Sequence, residues 1–308
     1  MYKHKIKRGI ILLLLLAIAF GVIGCSNKEE GLVAKVDDVG ITEDEFNMEF
    51  EVYKKINEQQ LGEGAMDQLD ASTGKTRGEA LKEEIMEMLI MERLIEREAE
   101  IENISVSPEE VQEIMDEYVE MMGGEEEFDS SLEENSMSRK FFEDNIRRGL
   151  LINKHKDNFL DKTNIPQEEI ESFFDDNGED LIVIKASHIL VKTEEEGKEV
   201  LNRLETGEEF EELALELSAD KGSGARGGDL GYFRKGDMIA EFEDAAFKLN
   251  VGEVSSLVKT EVGYHIIRLE DKKDSLESLE EDILYILKEQ KYQENLHNLR
   301  DEAKVKIF

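Results

Sequence analysis

Apolar and polar positions along the chain fall into a succession of strand and helix periods. Val33-Ala-Lys-Val-Asp-Asp-Val39 alternates as a half-buried strand does. Thr42 and Glu45 then have the spacing of a capping box, which opens a helix running to about Gln60. Residues 62–78, rich in Gly, Asp, Ser and Thr, read as a loop. From Glu79 to about Glu102 the residues Leu81, Ile85, Met88, Leu89, Met91, Leu94 and Ile95 recur at helical spacing and predict a long helix. The only two prolines each sit where a helix begins: Ser107-Pro108-Glu109-Glu110 and Pro166-Gln-Glu-Glu169 open helices ending near Met122 and Phe174. Between them Gly123 to Asn135 reads as an acidic loop, and Met137 to Leu160 as a helix carrying Phe141, Phe142, Ile146, Leu150, Leu151 and Ile152.

A different rhythm begins at Ile184. Lys185-Ala-Ser-His-Ile-Leu-Val191 and Gly263-Tyr-His-Ile-Ile-Arg268 read as short strands, each with one histidine among apolar residues. Paired in one sheet, they bring His188 and His265 to face each other. Thr193 with Glu196, and Thr206 with Glu209, are spaced as capping boxes for helices ending near Leu204 and Leu217. Ser218 to Gly231 is too rich in glycine to keep a helix or strand period and reads as a tight loop holding Asp220. Met238 to Phe247 reads as an amphipathic helix with Met238, Phe242, Ala245 and Ala246 on one side. Strands are expected near 182–191, 230–234, 254–258 and 263–270, which with the helices gives an α+β domain on a four-stranded sheet. A last helix from about Leu276 to Leu299 precedes Val305-Lys-Ile-Phe308.

Composition narrows the function. With 308 residues the chain can hold two domains with real cores, and its 40% hydrophobic content with this periodicity argues against global disorder. The 74 acidic against 38 basic residues give a net charge of −36, which excludes nucleic acid as a partner because that binding needs basic surface. Such a surface would attract basic clients, more strongly at low salt, or reflects an exported surface adapted to salt or high pH. Lys3, Lys5, Lys7 and Arg8 precede an apolar run from Ile10 to Gly24, the layout of a signal peptide and therefore of export. Cys25 is the only cysteine, so no intrachain disulfide forms and packing must hold the fold.

Several tempting features carry no chemistry. The acidic run Gly123 to Asp129 lacks the ligand spacing of an EF-hand and reads as solvated loop rather than a calcium site. Met86, Met88, Met91, Met115, Met121 and Met122 sit mostly on periodic apolar faces and read as core, although flexible thioethers also suit promiscuous surfaces. His4 lies in the signal segment, and His155 and His297 fall on polar helix faces. No histidine has zinc-site spacing with cysteine, so no metal is expected.

Taken together, Ala186-Ser-His-Ile-Leu-Val191, Gly227-Gly-Asp-Leu-Gly-Tyr-Phe233, Phe242-Glu-Asp-Ala-Ala-Phe247, Val251-Gly-Glu-Val-Ser255 and Gly263-Tyr-His-Ile-Ile267 resemble a parvulin-type peptidyl-prolyl cis-trans isomerase. The whole chain resembles the PrsA class of extracytoplasmic foldase lipoproteins. The resemblance implies a parvulin domain inserted in or appended to an all-helical SurA/PrsA-like chaperone domain. It sets residues 1–24 as lipoprotein signal peptide, 25–31 as lipidated tether, 32–180 as the helical chaperone-like domain, 181–272 as the isomerase domain and 273–308 as a C-terminal helix packing back on the helical domain. Val22-Ile-Gly-Cys25 resembles a lipobox, which implies cleavage before Cys25, diacylglycerol on its sulfur and residence on the extracytoplasmic face of the cell membrane.

The same resemblance puts His188, Asp220 and His265 in the catalytic site and Leu230, Phe233, Met238 and Phe242 in the pocket for the proline ring. It implies no cofactor, clients that are unfolded or partly folded exported polypeptides, and a homodimer through the helical flanks. Val262 departs from the pattern, standing where some relatives carry a hydroxyl. Lys192-Thr-Glu-Glu-Glu-Gly197 departs again, because three glutamates replace the basic cluster of phosphate-directed parvulins and repel a phosphate. The competing function is a chaperone for secreted proteins whose isomerase module is weak or inactive.

Overall fold

The computed structural model describes residues 30–308. The expected signal segment, Cys25 and most of the tether lie outside the described residues. In chain order the elements begin with β1 (Leu32–Val36), β2 (Val39–Thr42), α1 (Glu43–Leu61), α2 (Arg77–Ile101), α3 (Pro108–Met122), α4 (Glu125–Glu134) and α5 (Arg139–Lys162). They continue with α6 (Gln167–Leu181), β3 (Val183–Val191), α7 (Glu194–Glu205), α8 (Phe210–Leu217), α9 (Lys221–Gly224), β4 (Asp229–Phe233) and α10 (Ala240–Ala246). The chain ends with β5 (Val258–Thr260), β6 (Gly263–Lys273), α11 (Leu276–Glu302) and β7 (Val305–Ile307). These form two compact units, one reaching Thr163 and including Lys291–Phe308, the other spanning Asn164–Gln290.

In the first unit α2 is the central helix, its Leu81, Ile85, Leu89, Ile90 and Leu94 buried against Ala34, Val36 and Ile41 of the strands. It starts two residues before the expected Glu79, because Thr76 and Glu79 form a full reciprocal capping box. Ser107 and Glu110 do the same for α3, with Pro108 at its first position. Pro166, by contrast, is the N-cap of α6 rather than its first residue, and α6 continues past Phe174 to bury Leu181. The helical unit also carries a three-stranded sheet of order β2-β1-β7, in which Val305 lies opposite Val36 and Ile307 opposite Ala34. The three residues of β7 thus close the sheet on β1, a long-range pairing that strand alternation in Val33–Val39 leaves without a named partner.

Gly123 to Asn135 is not a loop. Gly123 ends α3 in the left-handed conformation, Gly124 follows at φ 130°, and α4 begins at once. Two effects outweigh the acidic composition. Phe128 and Leu132, one turn apart, are buried, each burial contributing about 2 kcal/mol. Glu125, Glu126 and Glu127 lie in the first turn, where the helix dipole favours negative charge. His155 is likewise not on a polar face: it is buried, with Nδ1 3.1 Å from the Tyr292 hydroxyl. Of the six methionines taken as core, Met86 and Met115 are buried, Met88 and Met91 pack beside the core, and Met122 and Met121 are exposed, Met121 by 71%.

The second unit holds a four-stranded antiparallel sheet of order β4-β3-β6-β5. One face carries Ile184, Ala186, Ile267 and Leu269 against Phe233, Phe242, Ala246 and Leu249. The other carries Ile189, Val191 and Ile266 against α7 and α8 through Val200, Phe210, Leu213 and Ala214. A third cluster joins α6 to α11 through Ile170, Leu181, Leu279, Ile283 and Leu287, which is why the unit starts before residue 181 and ends after 272. Thr206 does not cap α8: it ends α7, its hydroxyl donating to the Arg203 carbonyl, and α8 starts after Glu209 with no side-chain cap. The expected strand at 254–258 is reduced to one bridge, Val254 to Arg268, and pairing resumes only at Val258.

Candidate active site

The strand register builds the site. In the β3–β6 pair His188 lies opposite Ile267 and Leu190 opposite His265, so the two histidines are diagonal neighbours on one sheet face, within side-chain reach. The face is the one covered by α10. His188 and His265 are both buried, their rings stack at 5.3 Å between centroids, and Nδ1 of one is 3.1 Å from Nδ1 of the other. Beyond His188, Nε2 lies 3.0 Å from Asp220 Oδ2 and 3.0 Å from Ser223 Oγ. Beyond His265, Nε2 lies 3.0 Å from Thr260 Oγ1. A continuous hydrogen-bonded relay therefore runs from Asp220 through both rings to Thr260.

Asp220 is held by a short helix rather than by a free loop. It is the N-cap of α9, its Oδ1 accepting from the N–H of Gly222 at 2.9 Å and of Ser223 at 3.4 Å. The glycines do not abolish helix here; an N-cap side chain and one turn suffice. Gly228 pins the loop to the strand. At φ +88° its carbonyl accepts the His188 N–H at 2.9 Å, and a Cβ on it would stand 2.4 Å from the His188 carbonyl oxygen. Only glycine permits both the backbone conformation and that approach.

Phe242 covers the histidines edge-on, its ring 5.7 Å from His188 and 5.3 Å from His265. Phe233 packs 6.1 Å from Phe242, and both are buried, whereas Leu230 and Met238 are half-buried at the edge of the same cluster. Met238 is not one helical turn before Phe242: the helix begins at Ala240, and Met238 sits in the preceding segment with its N–H donating to Glu243 Oε1 at 2.9 Å. It still reaches the cluster because that glutamate folds the segment back. All seven predicted residues thus gather on one sheet face, the four apolar ones on one side of the relay and Asp220 at its end.

The electrostatics follow from this packing. Hydrogen bonds from Ser223, then from His188, hold the Asp220 carboxyl well below the usual carboxylate range. Burial, reinforced by His188 and partly offset by Asp220, pulls His265 down to about 4, so its ring is neutral at neutral pH. The relay then has a negative end at Asp220 and a neutral ring at His265. Two of its members escaped sequence reading. Thr260 supplies, from two residues earlier, the hydroxyl that Val262 lacks, and Val262 itself is 48% exposed. Ser223 stands three residues after Asp220, the spacing of an N-cap to its third helical position, which was the available signal.

The pattern of the PPIC-type PPIASE domain matches residues 176–273, and that of the SurA-like N-terminal domain matches residues 2–156. The foldase protein PrsA of Halalkalibacterium halodurans is 38% identical over 227 residues, covering 71% of this chain and 66% of that protein. The foldase protein PrsA of Caldanaerobacter subterraneus subsp. tengcongensis is 34% identical over 264 residues, 84% of this chain and 81% of that protein. The crystal structure of peptidylprolyl isomerase (PrsA) from Bacillus anthracis is 30% identical and is covered to 96%, against 71% of this chain, with a TM-score of 0.31.

Proposed function

Because the chain belongs to the PrsA family of foldases, whose parvulin-type domain makes it a peptidyl-prolyl isomerase acting on exported proteins, we propose that His188, Asp220 and His265 carry the reaction, with Leu230, Phe233, Met238 and Phe242 seating the proline ring. The observation that supports this most is the unbroken relay from Asp220 to Thr260 running directly beneath the Phe242 ring.

The chemistry asks for no transferred group. An X-Pro bond turns over a barrier of about 20 kcal/mol because twisting destroys amide resonance. Catalysis requires a site that fits the twisted bond better than either planar isomer. An apolar shelf made by Phe242, Met238 and Leu230 holds the ring while the acyl side turns, and it disfavours the charge-separated planar amide by excluding water. The neutral His265 ring beneath that shelf adds no competing charge. Asp220, at the open end with 34% of its side chain exposed, is the charged group placed to act on the carbonyl side as it loses conjugation. Thr260 holds His265, and with it the floor of the pocket.

The same reading puts residues 181–272 in charge of isomerisation, uses the helical flanks to hold unfolded clients and to form a homodimer, and anchors the chain on the extracytoplasmic face of the membrane through acyl chains on Cys25. Exposed Met121 and Met122 at the end of α3 favour the client-holding role of the flanks. The deciding experiment is the cis-to-trans rate of a short X-Pro peptide with the full-length protein beside His188→Ala/Asp220→Ala. Acceleration that disappears in the double variant is expected. Undiminished acceleration in the variant would move the chemistry elsewhere, and no acceleration with client aggregation still suppressed would leave a holding chaperone.

A further inference from the structure

Ser223 is buried on α9 and touches two members of the relay at once. Its Oγ lies 2.5 Å from Asp220 Oδ2 and 3.0 Å from His188 Nε2, and those two atoms are themselves 3.0 Å apart. The three form a closed triangle with a carboxylate at one corner, which only accepts. The short Ser223–Asp220 edge takes the hydroxyl proton. His188 must then donate from Nε2, because a bare Nε2 would face the carboxylate as acceptor against acceptor. A neutral His188 that is protonated on Nε2 has a bare Nδ1, so the 3.1 Å contact needs the proton on Nδ1 of His265. His265 Nε2 is left bare to accept from Thr260 Oγ1. Asp220 then accepts two protons, from Ser223 and from His188, each contact beyond His188 holds one, and the direction is set from the Asp220 end.

We propose that Ser223 is a positioning residue of the isomerase: by donating to Asp220 Oδ2 beside His188 Nε2 it holds the carboxylate at the corner from which the relay to Thr260 takes its direction. The inference rests on the reading of His188, Asp220 and His265 as the site. The groups facing Asp220 agree with it. From its own turn these are Ser223 and the N–H groups of Gly222 and Ser223, from β3 His188, and behind His188 the neutral His265 of β6. The largest influence keeping Asp220 ionised is the Ser223 hydroxyl. Nothing else in the relay supplies a second donor at that carboxylate oxygen besides His188.

The test uses full-length protein with 15N-labelled histidine rings. At neutral pH His188 is expected to carry its proton on Nε2 and His265 on Nδ1. In Ser223→Ala the carboxyl titration of Asp220, followed by 13C, should move up by about one pH unit, the size expected for loss of one hydrogen bond to a charged group. The kcat/KM for a short Ala-Pro peptide should fall several-fold, and Ser223→Thr, which keeps the hydroxyl, should restore both. A wild-type His188 protonated on Nδ1 overturns the proposal, as does an Ala variant whose Asp220 titration is unchanged. Should the Ala variant not fold, Ser223→Cys, with its weaker donor, should raise the same titration by less, and an unchanged titration there overturns the proposal. A wild-type protein that shows the expected rings but does not isomerise peptide would refute the catalytic reading and leave the relay direction standing.

Discussion

Replacing Glu92 by glutamine should stabilise the helical unit at alkaline pH, although Glu92 is part of an ion pair. Glu92 on α2 and Glu49 on α1 share one guanidinium, that of Arg148 on α5. Arg148 donates from Nη2 to Glu49, whereas its Nε stands 3.3 Å from Glu92 Oε2 out of alignment, and both of these atoms are buried without a hydrogen-bond partner. Burial, only partly offset by Arg148 and reinforced by Glu49, pushes Glu92 up from 4.5 to about 7. A carboxyl raised in the folded state stabilises by holding its proton. That stability is fully present below the unfolded value of 4.5 and is lost as pH rises through about 7. Above that, the anion costs about 3 kcal/mol, the rise from 4.5 to about 7 being worth about 1.36 kcal/mol per pH unit. Glutamine removes the cost and keeps the shape. The chain has no tryptophan, so amide exchange is the better probe, read at the α2 core residues Leu89 and Ile90. At pH 8 exchange there should slow by about a hundredfold, since about 1.4 kcal/mol is a factor of ten. At pH 4 the two proteins should exchange alike. Faster exchange in Glu92→Gln at pH 8 would show that the buried anion is a net stabiliser and sink the argument.

Two further outcomes concern the isomerase unit. Gly228→Ala puts a Cβ 2.4 Å from the His188 carbonyl oxygen at φ +88°, so it should cost at least about 2 kcal/mol in strain and lower peptide isomerisation about a hundredfold by displacing His188; a variant with wild-type rate and melting would show that the loop yields freely. His265, lowered in the folded state, gives stability that is fully present above the unfolded value of 6.5 and is lost as pH falls through about 4, about 3 kcal/mol in all. Denaturant midpoints for the unit should fall over that window in wild type and much less in His265→Gln, and equal slopes would contradict the assignment.

How much of this was readable beforehand depends on how far apart the cooperating residues lie. His188 and His265 were legible because each sits in a strand whose period is visible within seven residues, and antiparallel pairing of the two does the rest. Phe242 was legible from the helical period of Met238 to Phe247, and Phe233 only through the family resemblance. The misreadings come from places where composition and burial disagree. Gly123 to Asn135 looks like a loop by its charges, yet two apolar residues one turn apart are enough to bury a helix face once α3 and α5 are there to receive it. His155 looks exposed beside lysines and asparagine, yet its partner is Tyr292, in a helix 137 residues away. No local period can announce such a contact.

The relay itself shows the same limit at the scale of single atoms. Position 262, read alone, suggests a lost hydroxyl and hence a weakened site. The fold answers from position 260, because the backbone between β5 and β6 turns so tightly that the Thr260 hydroxyl serves His265 Nε2 at 3.0 Å and takes the Val262 N–H at 3.3 Å. The tight turn depends on Gly263 at φ +147°, where a Cβ would meet the Val191 carbonyl oxygen at 2.4 Å. A hydroxyl at 262 is therefore unnecessary for holding His265, and Val262 itself is 48% exposed. The departure at Val262 thus leaves the holding of His265 intact, a conclusion that required the turn geometry and not merely the residue identities.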